Sequence, residues 1–420
     1  MAVTKITDEN IVDVDASKLV GSFGAVDGSN LTNLPLGKSV TKTTSDPTQE
    51  TNPADGVGAL HLNTSSGELF CCVDATTDVN VWKNTGLGTT GTIEPVVAWS
   101  FQGTQYGYAA GGMSADYARY DDIERFSFVS DNTMGDVGSL TAQIAGMTGH
   151  SSMDYGYVAG GYYGTPSTPS GSIKTIQKFS YATQADAVDT GAELMSSNGT
   201  AGNSAAAGFG NETHGYVHCG HKQTPNENWD VIQKFPYASS SNSTQIGNCA
   251  YPSGVYQHTG WSSPTHGYSA GGYNYGGGFE QISDVEKMAF ASEGNSVKCG
   301  DLSQVVSYTT SSNSTTHGYI QGGFITGWAT TENIEKFSFA SEGTATTPAI
   351  LMSDITHATG GGTSSNTHGY TAGGMSSGGQ WAGGAYIAIV QKHSHITDSD
   401  ATQCGDLNYA RGYAVGGIQI

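Results

Sequence analysis

One stretch of the chain has the spacing of a catalytic motif. GYSAG at 267–271 matches the G-x-S-x-G pattern, in which a serine nucleophile stands on a sharp turn between a strand and a helix. No helical period follows Ser269. In similar stretches elsewhere in the chain, the same position varies and holds no second serine: Ala109, Val158, Val217, Ile320, Thr371 and Ala414. We therefore interpret the match as a coincidence and predict no catalytic residue.

Four histidines recur at one position of these similar stretches: His214, His266, His317 and His368. Imidazole is a common metal ligand, but a metal ion binds it at a distance of about 2 Å. Residues from successive repeats lie one structural unit apart, which favours hydrogen bonding between units over a shared ion. The sequence therefore predicts no metal site and no required cofactor.

The charge balance excludes several classes of partner. The chain has 420 residues with 37 Asp+Glu and 16 Lys+Arg, which gives a net charge of −21. A chain this acidic repels phosphate backbones, so no nucleic-acid partner is expected. No apolar run approaches the roughly 18 residues of a membrane helix, and the first residues, MAVTKITDENIVDVD, lack the apolar core of a signal peptide. We expect no membrane insertion.

The remaining candidate ligands are cysteines and carboxylates. The six cysteines show no CxxC spacing and include the adjacent pair Cys71 and Cys72, so we expect free thiols that serve packing. Acidic groups such as Asp398, Asp400 and Asp406 could bind Ca²⁺ loosely, because Ca²⁺ takes several oxygen ligands. No EF-hand loop or calcium-binding nonapeptide repeat is present.

These candidate residues belong to an internal repeat. A Gly-Tyr pair followed by Gly-Gly recurs, as in THGYSAGGY at 265–273 and THGYIQGGF at 316–324. The tyrosines that anchor the seven copies are Tyr108, Tyr157, Tyr216, Tyr268, Tyr319, Tyr370 and Tyr413. A second motif, typified by IEKFSF at 334–339, follows each of the first six. It carries one cation per repeat, which we interpret as a structural tie: Arg125, Lys178, Lys234, Lys287, Lys336 and Lys392.

Each repeat has the pattern of several short strands. Phe337 and Phe339 stand at i and i+2, on one face of a strand, and clusters of Gly, Ser, Thr and Asn separate the apolar runs. Short strands recurring about every 50 residues are typical of β-propeller blades. The order of HGYxxGG, loop and IEKFxF resembles the kelch repeat over about 96–420, although the tryptophan of that family's outermost strand is missing.

The kelch resemblance implies an all-β, kelch-like β-propeller. Six units are complete, and the seventh anchor lies seven residues from the end, so six blades are favoured and seven are possible. We expect the Tyr413 copy to add a strand to the first blade, which would leave no exposed sheet edge.

The first part of the chain lacks the Gly-Gly repeat. AVDGSNLTNLP at 25–35 and LHLNTSSGELFCCVDATTDVNVWKNTG at 60–86 resemble segments of bacteriophage tail fibres. The second stretch alternates like a hairpin around Ser65–Gly67, with Trp82 as a candidate core residue. The resemblance implies a virion protein with an extended anchoring segment at 1–36, a small β module at 37–94 and the propeller at 95–420. Fibres are commonly homotrimers, and the anchor would contact other virion proteins.

The loops after Gly-Gly carry aromatic side chains. In a four-stranded blade these loops emerge on one face, where exposed tyrosine and tryptophan offer flat surfaces on which sugar rings stack. The candidate ligand-binding residues are Tyr117, Tyr163, Trp229, Tyr275, Phe279, Trp328 and Trp381. Packing between blades is the alternative for each of them.

These observations predict a tail fibre or similar appendage in the virion, made in the bacterial cytoplasm, that binds a host surface component such as a polysaccharide. A purely structural virion adaptor or head decoration protein is the first alternative. A polysaccharide-degrading enzyme is the second, which would require two carboxylates roughly 5–10 Å apart. The boxes of sialidase-like propellers are absent from the sequence, and we predict that the protein is not an enzyme.

Overall fold

The structure is a computed structural model that describes residues 40–85, 92–93, 100–131, 135–163, 171–196, 202–223, 226–274, 276, 280–352, 355–357, 361–376 and 385–420. The regular elements within these ranges are β-strands, with one short 3₁₀ helix at Thr326–Trp328. This confirms the all-β class. No helix in the described ranges has the length and apolar character needed to span a membrane. The chain divides into two compact units, Met1–Ala98 and Trp99–Ile420.

The first unit contains a five-stranded sheet in the order β1-β2-β3-β4-β5. Its strands are β1 (Val40–Thr43), β2 (Leu60–Asn63), β3 (Leu69–Asp74), β4 (Val81–Asn84) and β5 (Thr92–Ile93). β2 and β3 form the hairpin predicted around Ser65–Gly67, and Trp82 is buried with Ala59, Phe70 and Cys72. The predicted anchoring segment at 1–36 lies outside the described residues.

The described part of the second unit contains six larger sheets, each with four main antiparallel strands, numbered 1 to 6 in chain order, and four smaller sheets of two or three short strands. In sheets 2 to 6 the four main strands follow one another along the chain, and we number them first to fourth in that order. Sheet 1 takes its second, third and fourth strands from β6 (Tyr106–Ala110), β7 (Asp122–Ser127) and β8 (Gly135–Ser139). Sheet 2 consists of β9 (Thr148–Ser151), β10 (Tyr155–Ala159), β13 (Thr175–Ser180) and β14 (Val188–Glu193). Sheet 3 consists of β15 (Ala207–Gly210), β16 (His214–His218), β19 (Val231–Pro236) and β20 (Thr244–Asn248).

The remaining sheets repeat this order. Sheet 4 consists of β22 (Thr259–Ser262), β23 (His266–Ala270), β26 (Asp284–Ala289) and β27 (Val297–Asp301), with β31 (Gly343–Thr344) parallel to β27. Sheet 5 consists of β28 (Thr310–Asn313), β29 (His317–Gln321), β30 (Asn333–Ser338) and β32 (Thr346–Ile350). Sheet 6 consists of β34 (Gly361–Ser364), β35 (His368–Ala372), β37 (Ile389–Ser394) and β38 (Thr402–Asp406). The last strand, β39 (Val415–Gln419), pairs with β6 and is the first strand of sheet 1.

Short strands lie in two kinds of loop. One kind connects a sheet to the next sheet, and the other connects the second and third strands of one sheet. The short strands are β11 (Tyr162–Tyr163) with β12 (Gly171–Ser172), β17 (His221–Gln223) with β18 (Asn226–Asn228), β21 (Val255–Tyr256) with β24 (Tyr273–Asn274) and β25 (Glu280–Gln281), and β33 (Ile355–His357) with β36 (Met375–Ser376). We call the side of the unit that carries these loops the loop face.

The seventh Gly-Tyr copy does not occupy the position that the sequence suggests. Its strand joins sheet 1, as predicted, but Tyr413 itself stands two residues ahead of a first strand with φ +56°. That is the position of Gly146, Ala205, Gln257 and Tyr308, which have φ between +53° and +65°. The other six anchor tyrosines lie inside second strands.

The anchor tyrosines pack one sheet against the next. Each is almost fully buried, and each ring contacts the third-strand aromatic residues or histidines of the following sheet. The pairs are Tyr108 with Phe179 and Tyr181, Tyr157 with Phe235 and Tyr237, Tyr216 with Phe290, Tyr268 with Phe337 and Phe339, Tyr319 with His393 and His395, and Tyr370 with Phe126 and Phe128. The last pair joins sheet 6 to sheet 1.

A glutamine or glutamate of the second motif provides a polar link between sheets. In each case its side-chain oxygen accepts a hydrogen bond, 2.6–3.1 Å long, from a backbone N–H just after the fourth strand of the preceding sheet. The acceptors and donors are Gln177 and Thr141, Gln233 and Met195, Glu286 and Ala250, Glu335 and Ser303, Gln391 and Met352, and Glu124 and Asn408. These links satisfy buried backbone groups that no strand pairing reaches.

Candidate functional site

A cavity of about 160 Å³ lies between the first strands of the sheets. Glycine, serine and threonine form about half of its wall, and aromatic and aliphatic side chains also contribute. The segment around Gln102 crosses the end of the cavity opposite the loop face, where the Gln102 amide donates to the carbonyls of Asn313 and Ser365 at 3.1 and 3.0 Å.

Aromatic residues pack at the loop-face end of the cavity. The ring of Tyr308 lies 6.0 Å from that of Tyr413 and 5.5 Å from that of Phe324, and Tyr413 also contacts Tyr162. Burial raises the pKa of Tyr162 to about 12 and the pKa values of Tyr308 and Tyr413 still further. These phenols are neutral at any physiological pH.

Two of the predicted ligand-binding residues lie exposed on the loop face. Tyr117 is 37% exposed and Tyr163 is 47% exposed. Trp229 is half-buried, with the ammonium group of Lys222 3.7 Å from its ring centroid, so its nearer face is covered by a cation–π contact. Tyr275, Phe279 and Trp381 lie outside the described residues. Trp328 ends the 3₁₀ helix, but its side chain is outside the description.

A further exposed aromatic residue of the loop face was not predicted from the sequence. Tyr409, which is 52% exposed, stacks on Tyr120 with ring centroids 5.5 Å apart and an interplanar angle of 12°. Tyr409 comes from the segment between β38 and β39, whereas Tyr120 follows β6, and local sequence spacing cannot relate residues so distant. We define the loop-face patch as Tyr117, Arg119, Tyr120, Tyr163 and Tyr409.

Arg119 and a neighbouring tyrosine connect the parts of this patch. The guanidinium group of Arg119 lies 5.0 Å from the ring centroid of Tyr162, the residue next to Tyr163. The phenol of Tyr117 interacts electrostatically with those of Tyr162 and Tyr386. The patch thus combines three exposed phenol rings with one that is half-buried and with one arginine.

A buried arginine, Arg411, contacts Tyr120 of the loop-face patch. Arg411 is fully buried, donates from Nη1 to the Gly111 carbonyl at 2.8 Å and forms an ion pair with the buried carboxylate of Glu124. Its guanidinium carbon also lies 5.1 Å from the ring centroid of Tyr120. Burial lowers the pKa of Arg411, and the Asp122 carboxylate and the Tyr120 phenol oppose that effect. Arg411 fixes Tyr120, and through it the stacked Tyr409.

The repeated histidines form local contacts rather than the predicted hydrogen bonds between units. In His214, His266, His317 and His368, Nδ1 lies 2.8 Å from the hydroxyl of the preceding threonine. Burial and then the nearby lysine lower the pKa of each imidazole. These contacts shape the turn between first and second strands and leave the four rings in separate turns.

The repeated cations tie neighbouring sheets in four cases. Lys234, Lys287, Lys336 and Lys392 each pair with a carboxylate of the following sheet, namely Glu293, Glu342, Asp398 and Asp131. This confirms the structural interpretation for those lysines. The other two cations instead lie over tyrosine rings of their own sheets, Arg125 over Tyr106 at 4.2 Å and Lys178 over Tyr155 at 4.5 Å.

The other candidate chemistry of the sequence is dispersed. Ser269 is buried in the middle of β23, paired with strands on both sides, and stands on no strand-to-helix turn. Asp398 pairs with Lys336, whereas Asp400 accepts from the Ile350 amide and Asp406 from the Gln403 side chain. The three carboxylates therefore have separate partners.

A cluster of potential metal ligands is buried between sheets 3 and 4. Within the described residues, His218, Cys219 and His258 place one ligand atom each within 4.8 Å of one another. Glu286 lies beside His218, with Oε2 3.5 Å from Nε2. Burial alone would raise the pKa of Glu286, but hydrogen bonds from His218 and Ser296 lower it to about 2. The six cysteines are free thiols, as predicted.

Comparison with known proteins adds no relative. No protein-family profile matches the chain, and no curated protein matches it significantly.

Proposed function

We propose that residues 95–420 form a six-bladed, kelch-like β-propeller whose loop face binds a ligand. The first strands of successive sheets contact one another in the order β9, β15, β22, β28, β34, β39 and then β9 again. The packing of Tyr370 on Phe126 and the ion pair between Lys392 and Asp131 link the last sheet to the first in the same way as the others. This regular linkage supports the propeller.

The loop-face patch is the observation that carries the binding function. Exposed aromatic residues that lie together mark interaction sites on soluble proteins. A phenol ring presents an apolar face and a hydroxyl group, and a pyranose ring presents an apolar face bordered by hydroxyl groups. The net charge of −21 disfavours a strongly acidic ligand. A neutral surface polysaccharide fits these properties best.

The proposed context is a bacteriophage particle. The resemblance of residues 25–35 and 60–86 to tail-fibre segments supports a tail fibre or similar appendage, anchored by residues 1–36 to other virion proteins. A homotrimeric fibre would present several loop faces at once. Linked binding sites raise avidity by about 10² to 10⁴ without any new contact. Shallow contacts on each copy would therefore suffice for adhesion to a host cell.

The experiment uses the full chain on a panel of bacterial surface polysaccharides and records both retention and released reducing ends. We expect retention without release. The triple variant Tyr117→Ser, Tyr163→Ser, Tyr409→Ser should bind the retained polysaccharide at least about tenfold more weakly. A tenfold loss corresponds to about 1.4 kcal/mol, and truncating one dominant contact residue of an interface costs about 2 kcal/mol or more.

The matched control is Ile396→Ser with Val129→Ser, which removes side chains that are 74% and 85% exposed in loops between third and fourth strands. This variant should bind like the unmodified chain. Equal binding by the triple variant would refute the loop face as the binding site. Release of reducing ends would show an enzyme, and no retention on any polysaccharide would favour a structural adaptor or head decoration protein.

A further inference from the structure

The junction between sheets 3 and 4 contains four cysteine and histidine residues: His218, Cys219, Cys249 and His258. The first three stand at positions where the other sheets share a different residue type, whereas the position of His258 varies from sheet to sheet. The equivalents of His218 are alanine or glutamine, and the equivalents of Cys219 are glycine in the other five sheets. Cys249 stands where the other sheets have a buried leucine: Leu140, Leu194, Leu302, Leu351 and Leu407. The repeat itself thus shows which residues this fold requires at these positions.

Cys219 has a backbone conformation that favours glycine. It has φ +55°, whereas the glycines at the same position in the other sheets have φ between +58° and +71°. Glycine adopts this conformation freely, but residues with a side chain rarely do. A cysteine at a glycine position, within a junction that also replaces a leucine by cysteine, indicates that the thiols have a role of their own.

The ligand atoms converge in a dry environment. His218 and His258 are 2% and 7% exposed and Cys219 is fully buried. His218 Nδ1 lies 3.2 Å from His258 Nε2, and the second ring nitrogen of His258, Nδ1, is buried without a hydrogen-bond partner. Tetrahedral zinc with bonds of about 2.0–2.3 Å separates its ligand atoms by about 3.3–3.8 Å. The Cys249 thiol interacts with that of Cys219.

The surroundings of His218 are those of a metal-ligating histidine. Its Nε2 faces the Ser296 hydroxyl at 3.2 Å and the carboxylate of Glu286, and Ser296 in turn donates to that carboxylate. A carboxylate that holds the outer nitrogen of a histidine fixes the tautomer and directs the other nitrogen to a metal ion. Glu286 also accepts the backbone N–H of Ala250, which connects the cluster to the link between sheets 3 and 4.

We propose that this junction is a structural zinc site, in which His218, Cys219 and His258 bind Zn²⁺ and Cys249 supplies the fourth ligand. Two thiolates and two imidazoles suit zinc, whereas calcium and magnesium require oxygen ligands. The ion ties the end of β16 to the segments that precede β22. This site is independent of the proposed glycan binding and departs from the sequence-based expectation of no metal.

The test measures metal content and coordination in the full chain, purified under reducing conditions with added zinc. We expect one zinc ion per chain by elemental analysis. Replacement of zinc by Co²⁺ should give a thiolate-to-cobalt charge-transfer absorption together with the strong visible bands of tetrahedral cobalt. A chain without stoichiometric zinc and without the thiolate absorption would overturn the proposal.

The repeat supplies variants that should fold. Cys219→Gly and Cys249→Leu restore the residues of the other sheets, and Cys404→Val replaces a buried thiol away from the cluster with the equivalent residue of sheet 1. Cys219→Gly should lose the zinc and the cobalt absorption, and Cys404→Val should keep both. Chelation should lower the thermal unfolding temperature of the unmodified chain and leave that of Cys219→Gly unchanged. Full zinc binding by Cys219→Gly would contradict the assignment.

Discussion

Arg411→Met should destabilise the second unit strongly, because it leaves a buried carboxylate without a partner. Arg411 and Glu124 are both fully buried, and Arg411 holds the segment between β38 and β39 against sheet 1. Breaking a buried ion pair by removing one partner typically costs about 3–5 kcal/mol, whereas replacing both charges by neutral groups is often neutral. We therefore expect a loss of about 3–5 kcal/mol in the free energy of unfolding.

The repeat provides the compensating change. Sheets 2, 3 and 6 have Gln177, Gln233 and Gln391 at the position of Glu124, and each accepts the same kind of backbone hydrogen bond. Glu124→Gln in the Arg411→Met background removes the unpaired charge and keeps the acceptor for the Asn408 amide. The double variant should come within about 1 kcal/mol of the unmodified chain.

The assay is urea unfolding of the full chain, followed by tryptophan fluorescence at several pH values. In Arg411→Met, burial without a partner raises the pKa of Glu124 above its value in the unfolded chain. The associated stability is present at low pH and is lost as the pH rises through that raised pKa. The deficit of the single variant relative to the unmodified chain should therefore shrink as the pH falls from 7 to 5. A double variant no more stable than the single one would refute the reasoning.

Two further changes test the polar and titratable contacts between sheets. Lys336→Met removes a partly exposed ion pair, in which Nζ lies 2.6 Å from Asp398 Oδ2, so urea unfolding should show a loss of no more than about 1 kcal/mol that diminishes in high salt. His395→Phe places a phenylalanine where sheets 1, 4 and 5 have Phe128, Phe290 and Phe339, and both ring nitrogens of His395 are buried without a hydrogen-bond partner. Burial, together with nearby cations and His393, lowers the pKa of His395 to about 2, whereas the unfolded chain takes up this proton near pH 6.5. Protonation of the unfolded chain therefore reduces stability below about pH 6.5, and the phenylalanine variant should gain more stability at pH 5 than at pH 7.5, as measured by thermal unfolding. A gain independent of pH would contradict the titration of His395.

The repeat made the strand content and much of the packing predictable. The Gly-Tyr anchor indicates a buried tyrosine because the same residue recurs in the same pattern. The glycine before this tyrosine is required because a side chain there would clash with a neighbouring ring. A Cβ at Gly156 would come within 2.5 Å of the Phe179 ring, and one at Gly215 within 2.4 Å of the Phe235 ring. Gly-Gly likewise marks two successive residues with positive φ after the second strand of every sheet except sheet 3, where Cys219 replaces the first glycine.

Other features depend on residues that are far apart in sequence. Tyr120 stacks on Tyr409, and Arg411 bonds to Gly111, across nearly the whole length of the second unit. Tyr413 resembles an anchor in sequence, yet strand register places it before a first strand. The His218 and Cys219 pair lies well before Cys249 and His258 in the sequence. Only its proximity to His258 and Cys249 in the fold shows that the departures from the repeat lie at one junction.

The most direct test of ligand binding at the loop face is hydroxyl-radical footprinting of the full chain, with and without a polysaccharide that it retains. Exposed side chains lose reactivity when a ligand covers them. We predict that Tyr117, Tyr163 and Tyr409 become protected, whereas Ile396 and Val129 remain as reactive as in the free chain. Protection confined to Ile396 and Val129, with unchanged oxidation of the three tyrosines, would contradict binding at the loop face.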